Sequence, residues 1–158
     1  MKAASVNDIK KELKEKKPAE LVELCLRLAR FKKDNKELLT FLLFDADDLE
    51  QYISGVRQQT EDGFAEINTS HVYYAKKSLR KILRIINKHI RYTGSKQAEV
   101  ELLMHFCSML KNSGIKFQKH AALKNLYDSQ VKKIKAAIAT MHEDLQHDYL
   151  RQLGTLEY

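Results

Sequence analysis

The stretch from Ser70 to Tyr92, SHVYYAKKSLRKILRIINKHIRY, decides how this chain is read. Val72, Ala75, Leu79, Ile82, Leu83, Ile86 and Ile90 recur at helical spacing and form one apolar stripe. Lys77, Lys81, Arg84, Lys88 and Arg91 step by four, three, four and three along another face, with Arg80 beside them. Ser70 is a candidate N-cap, because its hydroxyl can accept an orphan N–H of the first turn. Gly94, followed by Ser95, can end the helix in a left-handed conformation. The pattern is that of a core helix with a basic outer side.

The charge follows the same stretch. The chain of 158 residues carries a net charge of +7. No Asp or Glu stands between Glu66 and Glu99, and that gap holds eight of the positive residues, leaving a net of −1 for the rest. The composition, 44% hydrophobic and 31% charged, is globular rather than disordered. The length is that of one ordinary domain, so a single helical domain over 1–158 is expected, able to bury a core without disulfide or metal. One proline and five glycines favour helices joined by short turns.

Working outward toward the N-terminus, Asn7 or Ser5 can cap a short peripheral helix carrying Ile9 and Leu13. Pro18 suits the first position of a second helix, Pro18 to about Phe31, expected to bury Leu21, Val22, Leu24, Cys25, Leu28 and Ala29. Asp34 or Asn35 would cap a third helix, whose Leu38, Leu39 and Phe41 to Phe44 are apolar almost all round. Such a helix is buried or presents a face to a partner. Asp45 and Asp47 would close it and begin a fourth, with a bend or break near Thr60–Gly63.

Toward the C-terminus, Ser95 caps a helix from Lys96 to about Asn112, ended by Gly114. A last helical region begins near Gln118, with a break expected at Asp128 or Ser129 and fraying after Leu145. No run of residues alternates as a strand would. The expected fold is all-α, about seven helices in antiparallel hairpins. A faint echo between Pro18–Leu24 and Gln97–Leu103 favours a short α-solenoid of the HEAT or armadillo kind slightly over a closed helical bundle.

The segments Ile9-Lys10-Lys11-Glu12-Leu13 and PAELVELCLRLARFKKDNKELLTFLLF, Pro18 to Phe44, resemble a group of small uncharacterised bacterial helical proteins. The resemblance covers roughly the first third of the chain. It implies a cytoplasmic, helical protein and carries no catalytic residue with it.

Several chemistries fit the residues poorly. No apolar run approaches the roughly 20 residues of a membrane span, and the opening MKAASVNDIKKELKEKK has neither the apolar core nor the cleavage pattern of a signal peptide. Cys25 and Cys107 lie in helical patterns and are expected to be reduced and buried. Asp45–Asp48 lacks the spacing of a calcium loop. His142 and His147 are five apart, which separates them by about 140° on a helix, unlike zinc ligands four apart. No nucleophile motif or glycine-rich phosphate loop is present, so no metal, cofactor or catalytic residue is expected.

What remains is the basic stripe: Lys77, Arg80, Lys81, Arg84, Lys88 and Arg91, with Tyr73, Tyr74 and Tyr92 at its ends. Three readings compete for it. It steers an acidic protein partner, it follows a phosphate backbone while the tyrosines stack on bases, or it is a solvated face paired with Asp45, Asp47, Asp48, Glu61 or Glu66 on the neighbouring helix. The sequence favours a non-enzymatic adaptor or scaffold for a protein partner, with a nucleic-acid-binding accessory protein as the alternative. It would be a monomer, or a weak homodimer through Leu38–Phe44.

Overall fold

The computed structural model describes residues 1–157, and all of their regular structure is helical. Eight α-helices are present among the described residues, where about seven are expected, and the chain divides into two compact units, 1–44 and 45–158.

The first unit holds α1 (Val6–Lys14), α2 (Pro18–Phe31) and α3 (Lys33–Thr40). Ser5 caps α1, its hydroxyl accepting the Asp8 N–H at 3.2 Å. Pro18 opens α2, and the Glu20 carboxylate accepts the Lys17 N–H at 2.7 Å. The expected cap of α3 at Asp34 or Asn35 is not formed. Lys32, in an extended conformation, takes the N-cap place, and the Asn35 amide instead donates to the Leu28 carbonyl at 2.8 Å, closing the end of α2 onto α3. The predicted burial of α2 also fails. Val22, Leu24, Cys25 and Leu28 are exposed, and Leu21 and Ala29 only half-buried. Three short helices have too little surface to enclose one another, so an amphipathic face here does not become a core. A π-helical turn, Phe41–Asp45, follows, with Phe41 buried and Leu42, Leu43 and Phe44 exposed.

The second unit comprises α4 (Leu49–Ala65), α5 (Val72–Thr93), α6 (Lys96–Asn112), a 3₁₀ turn (Phe117–Lys119), α7 (Ala121–Ile138) and α8 (Glu143–Gly154). Asp48, not Asp45 or Asp47, caps α4 by accepting the Gln51 N–H at 3.0 Å. Ser95 caps α6 as expected, accepting from Ala98. The packing centre is α6. It lies against α4, α5 and α7, and Ala98, Val100, Leu102, Leu103, Phe106, Cys107 and Leu110 are all within 1% of full burial. α5 contributes Leu79, Ile82, Leu83 and Ile86 to the same core.

Three boundaries differ from the sequence reading, each for a local reason. α4 runs unbroken through Thr60–Gly63, because Thr60 is buried with its hydroxyl donating to the Val56 carbonyl at 2.8 Å. A Cβ at Gly63 would come within 3.0 Å of Ile82, so that glycine lets α4 and α5 approach rather than marking a break. α7 passes straight through Asp128 and Ser129. Asp128 pairs with Lys124 one turn earlier, and the apolar face continues through Ile134 and Ile138 into the core. The chain breaks only at 139–142, after which α8 docks with Tyr149 and Leu153 buried instead of fraying.

The glycines in and beside these helices give a contrast that unfolding measurements can read. Gly55 lies inside α4 with open space where a Cβ would go, so Gly55→Ala is expected to stabilise by up to about 1 kcal/mol. Gly94 ends α5 with φ +58, its N–H donating to the Ile90 carbonyl at 3.1 Å, so Gly94→Ala is expected to destabilise by roughly 1 kcal/mol. Equal responses in urea unfolding would contradict both assignments.

Candidate binding face

The register of α5 is set by its apolar stripe. Burying Ala75, Leu79, Ile82, Leu83 and Ile86 turns Lys77, Arg80, Lys81, Arg84 and Arg91 outward, and all five are exposed. Lys76 and Lys88 are half-buried beside them. From Lys77 to Arg91 the face runs about 21 Å along the helix, at 1.5 Å per residue. Arg91 sits in the last turn, where the helix dipole favours a cation.

Among the described residues, Lys77, Arg80, Lys81, Arg84 and Arg91 form no ion pair. Of the acids considered as their partners, Glu66 lines one shallow pocket with Lys81 but does not pair with it. Asp48 caps α4, Glu61 lies 3.3 Å from His105, and Asp45, Asp47 and Glu66 form no ion pair with the stripe. Each free cation therefore keeps its full charge toward solvent, and five like charges on one rigid face reinforce one another's potential.

Tyr73 and Tyr74 lie at the N-terminal end of this face. They are 70% and 48% exposed, with ring centroids 5.5 Å apart and the planes nearly perpendicular. Tyr92 does not join them. It is buried, with its ring edge-on to His89 at 5.9 Å, because position 92 returns to the apolar side of the helix. Ser70 does not cap the helix either. His71 occupies the N-cap, and the Ser70 hydroxyl donates to the Asn68 side chain.

A second group of polar residues gathers where α4, α6 and α8 meet, lining an open cleft of about 590 Å³. Glu101 is its centre. Its carboxylate accepts from Arg57 at 2.9 Å, from Gln97 at 3.0 Å and from the Tyr149 hydroxyl at 2.8 Å. His105, one turn further along α6, faces Glu61 across from α4. Nothing in the sequence marks this group, since Arg57, Glu101 and Tyr149 are separated by more than forty residues each.

Burial holds the Tyr149 hydroxyl up at about 12, reinforced by its bond to Glu101, so it stays protonated and donates. Burial likewise lowers the His105 pKa, only partly offset by Glu61, and the ring is neutral at neutral pH. With its carboxylate already taking three donors, Glu101 is a tie between helices rather than a free base. Ser108, on the same side of α6, makes no hydrogen bond to His105 among the described residues. The Cys107 thiol is buried and pushed up to about 12, which leaves it un-ionised, and Cys25 is exposed. No group of three or more His, Cys, Asp or Glu among the described residues could hold a metal ion, and no helix among them is long and apolar enough to cross a membrane.

The lowered His105 pKa has a consequence for stability. Above the ordinary histidine value near 6.5 the ring is neutral in both folded and unfolded chains, so it contributes no pH dependence. As pH falls through that value the unfolded chain takes up a proton that the folded chain refuses, and stability drops. Replacing His105 by Gln is expected to flatten the stability profile below about pH 6.5. Parallel profiles for both proteins would show that the ring titrates normally in the fold.

Comparison with protein-family models, with curated proteins and with solved structures found no match to this chain.

Proposed function

We propose that this protein is a non-enzymatic adaptor whose α5 face binds an acidic segment of a partner protein. The observation that carries the reading is the set of five exposed cations that form no ion pair among the described residues, held in register by a helix whose other side is core. The helix fixes the backbone under the row, while each long side chain still loses rotamer freedom when it pairs. The row steers an acidic partner by accelerating encounter and rejecting basic surfaces, more than by raw affinity. The same reading places the protein in the cytoplasm, as a monomer or a weak homodimer.

A second reading, a nucleic-acid-binding accessory protein, is favoured by the exposed Tyr73–Tyr74 pair, which offers stacking surfaces beside the cations. Two measurements separate the readings. Fluorescence anisotropy with labelled single-stranded RNA and duplex DNA, at low and physiological salt, is expected to show no tight complex. Nuclease-treated pull-downs are expected to retain an acidic protein with the wild type and to lose it with the Lys81→Glu/Arg84→Glu variant. A tight complex that weakens steeply with salt would move the face to phosphates, and the slope would count the contacts.

A further inference from the structure

We infer that a groove between α1 and the start of α2 receives an acidic amphipathic helix from a partner protein. This is a second docking surface, separate in residues and chemistry from the α5 face. It is shallow, and it is lined by Val6, Ile9 and Leu13 of α1, by Leu21 of α2, and by Lys10, Lys14 and Lys16. Val6, Ile9 and Leu13 fall at i, i+3 and i+7, which lines them along one side of the helix, and Val6 is 84% exposed. A helix in such a groove presents apolar anchors at the complementary spacing, and acidic residues flanking those anchors would meet the three lysines.

Other occupants fit less well. Residues 1–44 carry eleven Lys and Arg against seven Asp and Glu, so a second copy would set two net-positive surfaces together. An anionic lipid surface would meet the same three lysines, and the vesicle measurement below distinguishes it from a partner helix. The groove also serves α1 itself. A nine-residue helix is marginal in water unless packing supports it. A partner helix across Val6, Ile9 and Leu13 would supply that packing, so binding should protect the amides of α1.

The test uses the full chain and a labelled synthetic helical peptide with leucines at i, i+4 and i+7 and glutamates on both flanks, with a copy bearing lysines for glutamates as control. The glutamate peptide is expected to bind at least tenfold more tightly than the lysine copy. Binding should fall at least tenfold in Ile9→Asp/Leu13→Asp and in Lys10→Glu/Lys14→Glu, and it should slow hydrogen exchange in 6–14. All four positions are exposed, so the variants should fold, and circular dichroism checks this. Because the α5 face would itself attract an acidic peptide, every titration is repeated in the Lys81→Glu/Arg84→Glu background, where peptide binding and its loss in Ile9→Asp/Leu13→Asp should both persist, so failure of this inference and failure of the α5 reading are separate results. Equal binding of the two peptides, or binding indifferent to Ile9→Asp/Leu13→Asp, would overturn it. So would pelleting with phosphatidylserine vesicles, or a concentration-dependent doubling of mass in light scattering, if Ile9→Asp/Leu13→Asp abolished either one while the peptide did not bind.

Discussion

Leu153→Ala is expected to lower the free energy of unfolding by about 2–5 kcal/mol, while Leu150→Ala, three residues away, changes it by less than about 0.5 kcal/mol. The two leucines sit on the same amphipathic helix, but Leu153 is 1% exposed and Leu150 is 49% exposed. Truncating Leu153 removes buried methyl groups and leaves a cavity that the surrounding side chains fill only in part. The site has little freedom to collapse, because α8 is held from several sides. Tyr149 donates to Glu101 on α6, the buried Tyr127 hydroxyl donates to the Leu156 carbonyl at 2.6 Å, and Lys111 reaches the Thr155 carbonyl at 2.8 Å. Urea unfolding at constant m-value reads the difference. A loss below 1 kcal/mol at Leu153 would mean that α8 is not docked in solution.

Lys81→Glu/Arg84→Glu is expected to weaken binding of an acidic partner on the order of 100-fold, about 2.7 kcal/mol, and to leave stability within about 0.5 kcal/mol of wild type. Binding suffers because two attractions become two repulsions at the centre of the face. Stability does not, because neither side chain forms an ion pair among the described residues and both are exposed. Isothermal titration and thermal unfolding on the same preparation separate the two effects. A fall in melting temperature without loss of binding would show that the cations serve the fold instead.

The basic face was legible in the sequence because a helix converts spacing directly into facing. Once Leu79, Ile82, Leu83 and Ile86 are assigned to the core, Lys77, Lys81 and Arg84 can only point away from it. Tyr92 shows where this logic must be applied residue by residue. It is close to Arg91 in sequence, yet its position on the helix returns it to the buried side. The cleft around Glu101 was not legible at all. Its members come from three helices, and pattern along the chain carries no information about which surfaces meet.

Local rules by themselves determined the all-helical class, the extent of α6, the Ser95 cap and the glycine end of α5, and narrowed the first cap to Asn7 or Ser5. These depend on interactions within one or two turns, which the residues in that window supply. Tertiary structure decided which helix lies at the centre. α5 has the cleaner two-faced pattern, and that pattern marks a helix with one side in water. The centre falls to α6, whose less divided pattern allows it to be covered by α4, α5 and α7. Tertiary structure also decided that α8 is docked and that α2 keeps its apolar residues in solvent. An amphipathic face states what a helix can bury. Whether it is buried depends on a second surface of matching shape, and that surface comes from elsewhere in the chain or, for α1, from the partner helix inferred above.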